Sequence, residues 1–565
     1  MTLAASNRSP ILRVAMSRDD LMMRLGVVLF AVVLLVIVGL PLWSLLAKAF
    51  EDRDGKFVGL ANYVSYFSTP ALFDSALNSL HVAAVCTLIV VPLAFFYAYA
   101  LTRTVLPVRW LFQGISLIPI FAPSLLPGLA LVYLFGNQGF FKGALGGPIY
   151  GFDGIVIAQI FYCFPHATLI LVTALTTADA RLYEAADALG ASKLRVFFTV
   201  TLPGAKYGLI SAALVVFTMV ITDFGIAKVI GGNFNVLATD VYKQVIGQQN
   251  FSMGAVVGMV LLAPAAIAFL VDRVVQRKQV ALLTARAVPL IPKPKLGRDL
   301  FFTAFCTVVA AGILVILGMA AWGSLIKYWP YNLSLTLANY DFTNFDASGW
   351  DSYFNSVEMA VGAAVFGTTL MFVGAWLNEK TREFYLMRGI VQFLAFLPMA
   401  VPGLVLGLGY IFFFNAPNNP LNFLYATMGI LVVNTVAHFY TVGHLTATTA
   451  LKQIDPEFES VSASLKVPVW RTFGRVTAPI CLPAILDIAI YLFVNGMTTV
   501  SSVIFLYSSD TKLASVAAVN IEESGATAVA AALCIVIVIT SAAVKTLHVL
   551  ADRFLLGRLQ AWRRR

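Results

Sequence analysis

The chain has 565 residues, of which 59% are hydrophobic and 12% charged, with a mean hydropathy of +0.85 and a formal net charge of +10. Soluble domains carry roughly 25% charged and about 45–50% apolar residues. This composition excludes a cytosolic enzyme, a disordered chain and a disulfide scaffold, and it indicates a polytopic membrane protein.

Apolar segments long enough to cross a bilayer recur along the whole chain, since a span needs about 20 apolar residues. The first one exceeds the roughly 7–15 residues of a signal-peptide core, so we expect it to be retained as a span. The predicted spans are 25–47, 80–101, 110–135, 154–176, 207–230, 253–271, 301–326, 357–377, 390–413, 426–450, 484–507 and 526–549.

The basic residues predict the orientation of these spans. If the N-terminus is cytoplasmic, 29 Lys and Arg residues fall in inside segments and 8 in outside loops. Lys and Arg concentrate on the cytoplasmic side of membrane proteins. We therefore expect both termini in the cytoplasm, with Arg563–Arg565 at the end of a basic tail, and we assign the net positive charge to orientation, with no nucleic-acid partner.

Short motifs recur at a nearly constant spacing. Residues 60–63 (Leu-Ala-Asn-Tyr) return at 337–340 and Asn78-Ser79 returns at 355–356, both 277 positions later. Such periodicity indicates a duplication. It predicts a first repeat at 1–279, a cytoplasmic linker at 280–300 and a second repeat at 301–565. Six spans per repeat give both copies the same orientation, so the fold class is an all-α polytopic membrane protein with about twelve transmembrane helices in two parallel six-helix repeats.

Prolines interrupt the third and ninth spans at matching positions in the two repeats. Broken helices in the membrane often line a cavity, and a packing kink is the alternative. An ionisable residue within a span is also a candidate, although a satisfied buried polar group is the favoured interpretation for Asp223. The pathway candidates are Pro119, Pro123, Asp223, Pro398 and Pro402. No metal site is predicted, because the five cysteines have no paired spacing.

The segment 180–203, between the fourth and fifth spans, predicts a helix–turn–helix at the membrane surface. Helix formers fill 180–189, Gly190 suits a left-handed helix end, and Ser192 can cap the next helix. Ala185 and Ala186 leave a small face beside the carboxylate of Glu184, which another protein could approach closely. A solvated surface helix is the alternative.

This segment resembles the EAA motif of the permeases of binding-protein-dependent ABC importers, the MetI-like family. The matching residues are Glu184, Ala185, Ala186, Gly190, Leu202 and Pro203. The resemblance implies a coupling helix that docks on a cytoplasmic ABC ATPase, in two copies, which holds ATP and Mg²⁺, and it implies a periplasmic solute-binding protein. It places the chain in the bacterial inner membrane. The chain itself needs no cofactor and has no Walker-type glycine loop, so it cannot hydrolyse ATP.

A second copy of the motif at 456–479 departs from this pattern. Alignment on Pro479 puts Ser460 at the Glu position and Lys466 at the Gly position, while Glu459 lies one place off. We call 180–203 the first EAA-like loop and 456–479 the second. The departures predict that the two repeats contact their ATPases unequally.

The whole chain resembles fused permeases for 2-aminoethylphosphonate uptake, through residues 133–139, 222–225 and 236–245 and the linker 280–289. Fused ferric-iron permeases share this architecture, so iron is the alternative substrate. A twelve-span secondary transporter is a further alternative, but the loop 102–109 lacks the Gly-and-Asp pattern expected of that class.

Overall fold

The computed structural model describes residues 17–144, 146–282, 290–381 and 383–553. It is 76% helix and 2% strand. Within the described residues, nine helices are long and apolar enough to cross a membrane, or up to twelve if each of three bent pairs counts as one span. The predicted all-α membrane fold is confirmed. Residues 283–289 of the predicted linker and the basic tail at 563–565 lie outside the described residues.

In the part of the first repeat that the structure describes, there are eleven helices. They are α1 (Arg18–Lys48), α2 (Ala61–Ser68), α3 (Pro70–Arg103), α4 (Arg109–Phe121), α5 (Leu125–Phe135), α6 (Phe152–Thr176), α7 (Ala180–Ala188), α8 (Lys193–Thr222), α9 (Gly225–Ile230), α10 (Leu237–Tyr242) and α11 (Phe251–Leu282). A π-helical turn lies within α1 at Leu35–Gly39, and another follows the first turn of α8 at Phe197–Thr201.

The second repeat begins with α12 (Leu296–Ser324) and an antiparallel hairpin of β1 (Ile326–Tyr328) and β2 (Asn332–Leu335). The following helices are α13 (Asp351–Lys380), α14 (Tyr385–Ala400), α15 (Gly403–Phe414), α16 (Met428–Lys452), α17 (Glu457–Ser464), α18 (Val469–Ile480), α19 (Leu482–Thr498), α20 (Ala514–Glu523) and α21 (Thr527–Ala551). Short 3-10 turns lie at Ala338–Tyr340, Phe342–Asn344 and Asn422–Leu424. We call the end of the bundle that carries α7 and α17 the loop end, and the opposite end the far end.

The proline-containing spans are sharply bent. α4 and α5 meet at 103°, and α14 and α15 meet at 118°. Pro119 and Pro398 each lie in a 3-10 turn just before the break, where a ring without an N–H ends the helical ladder. A third bend, of 73°, separates α18 from α19, whereas the matching helix α8 runs continuously.

The predicted fifth and eleventh spans are wrong at their far ends. The helix predicted to run to residue 230 ends at Thr222, and the one predicted to run to 507 ends at Thr498. Asp223 has an extended backbone, and its carboxylate accepts a hydrogen bond of 3.0 Å from the N–H of Ile226. That bond caps the separate helix α9, so the apolar residues after 223 belong to a new element.

Equivalent hydrogen bonds join equivalent elements in the two repeats. The N–H of Leu237 donates to Oγ of Ser79 at 2.8 Å, and the N–H of Ala514 donates to Oγ of Ser356 at 2.8 Å. Both partners in the second bond lie 277 positions after those in the first. The repeats therefore share tertiary contacts as well as helix order.

The first helix of each repeat packs against the other repeat. The hydroxyl of Tyr410 donates to the carbonyl of Ile37 at 2.6 Å, which ties α1 to α15. Phe302 of α12 lies 5.3 Å, between ring centroids, from Tyr99 of α3. This exchange interlocks the repeats around one continuous buried core.

Candidate functional site at the loop end

The first EAA-like loop has the predicted helix–turn–helix form. Gly190 takes the left-handed conformation, with φ +67°, directly after α7. The Ser192 hydroxyl accepts from the N–H of Arg195 at 3.3 Å and so caps α8. Local hydrogen bonds support the shape of this turn, as residues of these types favour.

This loop exposes the residues that carry the EAA resemblance. Exposed are Glu184, Ala185, Gly190 and Pro203, while Ala186 and Leu202 are half-buried. Large apolar side chains are also exposed around them, with Leu189 86% and Leu194 71% accessible. Apolar side chains this open at a loop tip are typical of a surface that another protein covers.

The second EAA-like loop follows the same backbone path with different residues. Lys466 takes the left-handed conformation of Gly190, with φ +51°. Ser460, Lys466 and Pro479 are exposed. Exposed apolar residues also occupy equivalent positions in the two loops, at a constant offset of 276. The second-loop residues are Phe458, Val461, Leu465 and Trp470, and their first-loop equivalents are Leu182, Ala185, Leu189 and Leu194.

Glu459 makes a contact within its own repeat. Its carboxylate pairs with Nζ of Lys380 at 2.5 Å. The matching position in the first repeat holds Tyr183, whose ring lies 5.1 Å from the guanidinium of Arg103. In both repeats a basic residue at the end of the second span thus anchors the short loop helix. The motif alone did not reveal these basic residues, although the constant offset matches Tyr183 with Glu459.

The pathway candidates are all in the interior of the bundle. Pro119, Pro123, Pro398 and Pro402 are buried at the two sharp bends. Besides Ile226, Asp223 accepts from Nε2 of Gln159 at 3.1 Å, so it is a satisfied polar group, as the favoured interpretation holds. A pathway role for these five residues stays a prediction. Among the described residues, no three His, Cys, Asp or Glu side chains cluster closely enough to hold a metal ion.

An ion pair that the sequence did not predict joins the repeats at the far end. Lys228 of α9 pairs with Glu523 of α20, and its ammonium lies 4.6 Å from the ring centroid of Tyr242. Tyr242 in turn stacks on Phe505 of the other repeat, with 6.3 Å between centroids. At the offset of 276, the residue of the second repeat that matches Lys228 is Ile504, which is apolar. The ion pair of Lys228 with Glu523 therefore has no equivalent at the matching position.

Comparison with known proteins agrees with this architecture. A family described as "Binding-protein-dependent transport system inner membrane component" matches residues 90–280. The molybdenum transport system permease protein ModB of Escherichia coli (strain K12) is 30% identical over 162 residues, which cover 27% of this chain and 69% of ModB. The chain belongs to this family of inner-membrane permeases, and it is a permease subunit of an ABC importer.

Two relatives extend through both repeats. The ferric transport system permease protein FbpB of Actinobacillus pleuropneumoniae is 28% identical over 478 residues, covering 80% of this chain and 68% of the relative. The Fe(3+)-transport system permease protein FbpB 2 of Haemophilus influenzae is 23% identical over 486 residues, covering 86% and 90%. The predicted phosphonate specificity gains no support from these relatives. Family membership implies an ATPase and a periplasmic binding protein as partners.

Proposed function

We propose that this chain is the permease subunit of an importer for ferric iron. The observation that carries the proposal is the similarity to ferric permeases through both repeats. In this proposal iron arrives from a binding protein at the far end.

The two EAA-like loops are the proposed docking sites for two ATPase subunits, with the loop end and both termini in the cytoplasm. Each loop projects a short helix with exposed apolar side chains at equivalent positions, led by Leu189 and Leu465. An apolar patch with a polar rim fits the way proteins recognise one another. ATP-driven closure of the ATPases draws the loops together, and rigid-body rotation of the repeats opens the far end.

The substrate is tested in proteoliposomes that contain the permease, its ATPase and its binding protein. We expect ATP-dependent uptake of ⁵⁵Fe³⁺, and none with an ATPase that cannot hydrolyse ATP. Labelled 2-aminoethylphosphonate is measured in parallel. Uptake of the phosphonate without iron uptake would contradict the iron proposal and leave the permease assignment intact.

The docking assignment is tested by Glu184→Arg and Gly190→Pro. The first reverses a charge on the exposed helix, and the second forces a φ near −65° on a left-handed position. We expect at least a tenfold loss of ATPase co-purification with normal membrane insertion. Asp54→Arg, the same charge reversal on an exposed residue at the far end, is the matched control. Full ATPase binding by both loop variants would defeat the assignment.

A further inference from the structure

The second helix of each EAA-like loop needs a partner for its first N–H groups. In the first loop Ser192 supplies it, with an extended backbone of φ −62° and ψ 153°. The matching residue of the second loop is Pro468, which has nearly the same backbone, φ −58° and ψ 141°, but no side-chain acceptor. α18 therefore has no cap from its own loop.

The missing cap comes from the start of the chain. Oδ2 of Asp19 accepts a hydrogen bond of 3.1 Å from the N–H of Val469, 450 residues away in the sequence. Asp19 lies in the first turn of α1 and is half-buried. A carboxylate is a favourable group at a helix N-terminus, both as an acceptor and as a negative charge facing the helix dipole.

Other contacts hold α1 in the position that this cap requires. Arg24 pairs with Glu383 of the second repeat at 3.0 Å, and its guanidinium lies 5.8 Å from the ring centroid of Phe384. One helical turn before Arg24, Asp20 forms a capping box with Ser17 that defines where α1 begins. The beginning of α1 is thus fixed to the second repeat, and Asp19 is presented to α18.

We propose that Asp19 is a positioning residue for the second EAA-like loop. It holds α18, which carries the exposed Trp470, by accepting from the first N–H of that helix, whereas Ser192 accepts from the third N–H of the matching helix. The loop that lost the family's Glu and Gly residues then keeps its shape through a cap from the N-terminal helix. A role of this hydrogen bond in coupling rests on the proposed docking of an ATPase at the second EAA-like loop. The hydrogen bond itself does not depend on that proposal.

A cap supplied within the loop provides the test. Asp19→Ala removes the acceptor, and Pro468→Ser introduces the equivalent of Ser192 on a backbone that already suits it. In the full chain in nanodiscs without ATPase, we expect Asp19→Ala to speed amide exchange at Val469–Thr472 about fivefold, the usual effect of losing a cap. The double variant Asp19→Ala/Pro468→Ser should return to within twofold of the original rate.

Asp20→Ala is the matched control, because it removes the neighbouring carboxylate, which accepts from the N–H and the hydroxyl of Ser17, and leaves the contact with Val469 in place. Unchanged exchange in Asp19→Ala, or equal effects of the two Asp variants, would overturn the proposal. So would failure of Pro468→Ser to rescue. ATPase co-purification is measured on the same variants and should follow the exchange rates. If exchange responds and ATPase binding does not, the cap stands and docking at the second loop fails.

Discussion

A single residue in the second EAA-like loop keeps a backbone conformation that does not suit it. Lys466 lies at φ +51°, where a side chain costs roughly 1–2 kcal/mol relative to glycine. We expect Lys466→Gly to stabilise the loop by about 1 kcal/mol, because glycine adopts this region freely. The measurement is slower amide exchange across residues 463–467.

The first loop offers the reverse experiment. Gly190→Lys places a side chain on the same left-handed turn, at φ +67°. Gly190→Lys should speed amide exchange at this turn by the same factor by which Lys466→Gly slows it in the second loop. Changes of the same sign in both variants would show that the turns are not conformationally equivalent.

A buried ion pair at the far end gives a prediction with a pH dependence. Asp346 accepts from Nζ of Lys512 at 2.9 Å, and its side chain is only 7% exposed. Burial by itself raises the pKa of Asp346, but Lys512 and the N–H of Ser348 outweigh burial and hold that pKa below its usual value. The stabilisation is therefore present above pH 4 and is lost as the pH falls through the lowered pKa.

We expect Asp346→Asn to lower the free energy of unfolding by about 2 kcal/mol at pH 7, because it leaves the Lys512 ammonium without its charge partner. The difference from the unmodified protein should shrink below pH 4, as measured by thermal unfolding in detergent. Asp187→Asn is the control, since its pair with Lys193 is exposed and should matter less. An Asp346→Asn effect that does not change with pH would rule out the charge as its cause.

Residue types and spacings in the sequence predicted the structural features that depend only on residues close together in the chain. The left-handed Gly190 and the Ser192 cap follow from residue type and spacing, and the structure has both. The partners of Glu459 and Val469 could not be predicted, because Lys380 and Asp19 reach them only through helix packing. Comparing the repeats at a constant offset does show where to look, since Pro468 stands where a capping serine is expected.

At the scale of elements, hydropathy predicted twelve spans, and the described residues contain nine long apolar helices and three bent pairs, with some ends misplaced. The prolines at 119 and 398 predicted the two sharp bends, since a missing N–H interrupts a helix wherever it lies. The helix end at Thr222 was missed because residues 224–230 continue the apolar run. Only the carboxylate of Asp223, which caps the next helix, separates the two elements.

The exchange of first helices between repeats depends on a small residue. A Cβ at Gly374 of α13 would overlap the ring of Phe30 of α1. We expect Gly374→Ala to destabilise the protein by about 1–3 kcal/mol, as overpacking of a tight core does. Gly312→Ala is the control, because no atom lies within 4 Å of its added Cβ. Equal thermal stability of the two variants would show that α1 can shift without cost.

For the whole molecule, the interlocked first helices set the kind of motion that transport can use. α1 and α12 each remain packed on the opposite repeat, so the repeats cannot simply separate. In the proposed mechanism, rotation about the shared core opens the loop end and the far end in turn. In that mechanism, contacts between α9 and α20 close the far end, and the ion pair of Lys228 with Glu523 is one of them.

Loss of that ion pair should favour the state that is open at the far end. A half-exposed pair contributes up to about 1 kcal/mol, which is roughly fivefold in a two-state equilibrium. In proteoliposomes with ATPase but no binding protein, we expect Lys228→Ala and Glu523→Gln each to raise ATP hydrolysis by about that factor. Lys142→Glu, an exposed change at the same end, should leave hydrolysis unchanged.

The reversed pair Lys228→Glu/Glu523→Lys separates the two contacts of Lys228. It restores the attraction between the repeats but places a carboxylate against the ring of Tyr242, where the ammonium now lies over the aromatic face. Hydrolysis close to the original rate would assign closure to the ion pair. Hydrolysis as fast as in the single variants would assign it to the cation and aromatic contact, with the stack of Tyr242 on Phe505 as the remaining link between the repeats.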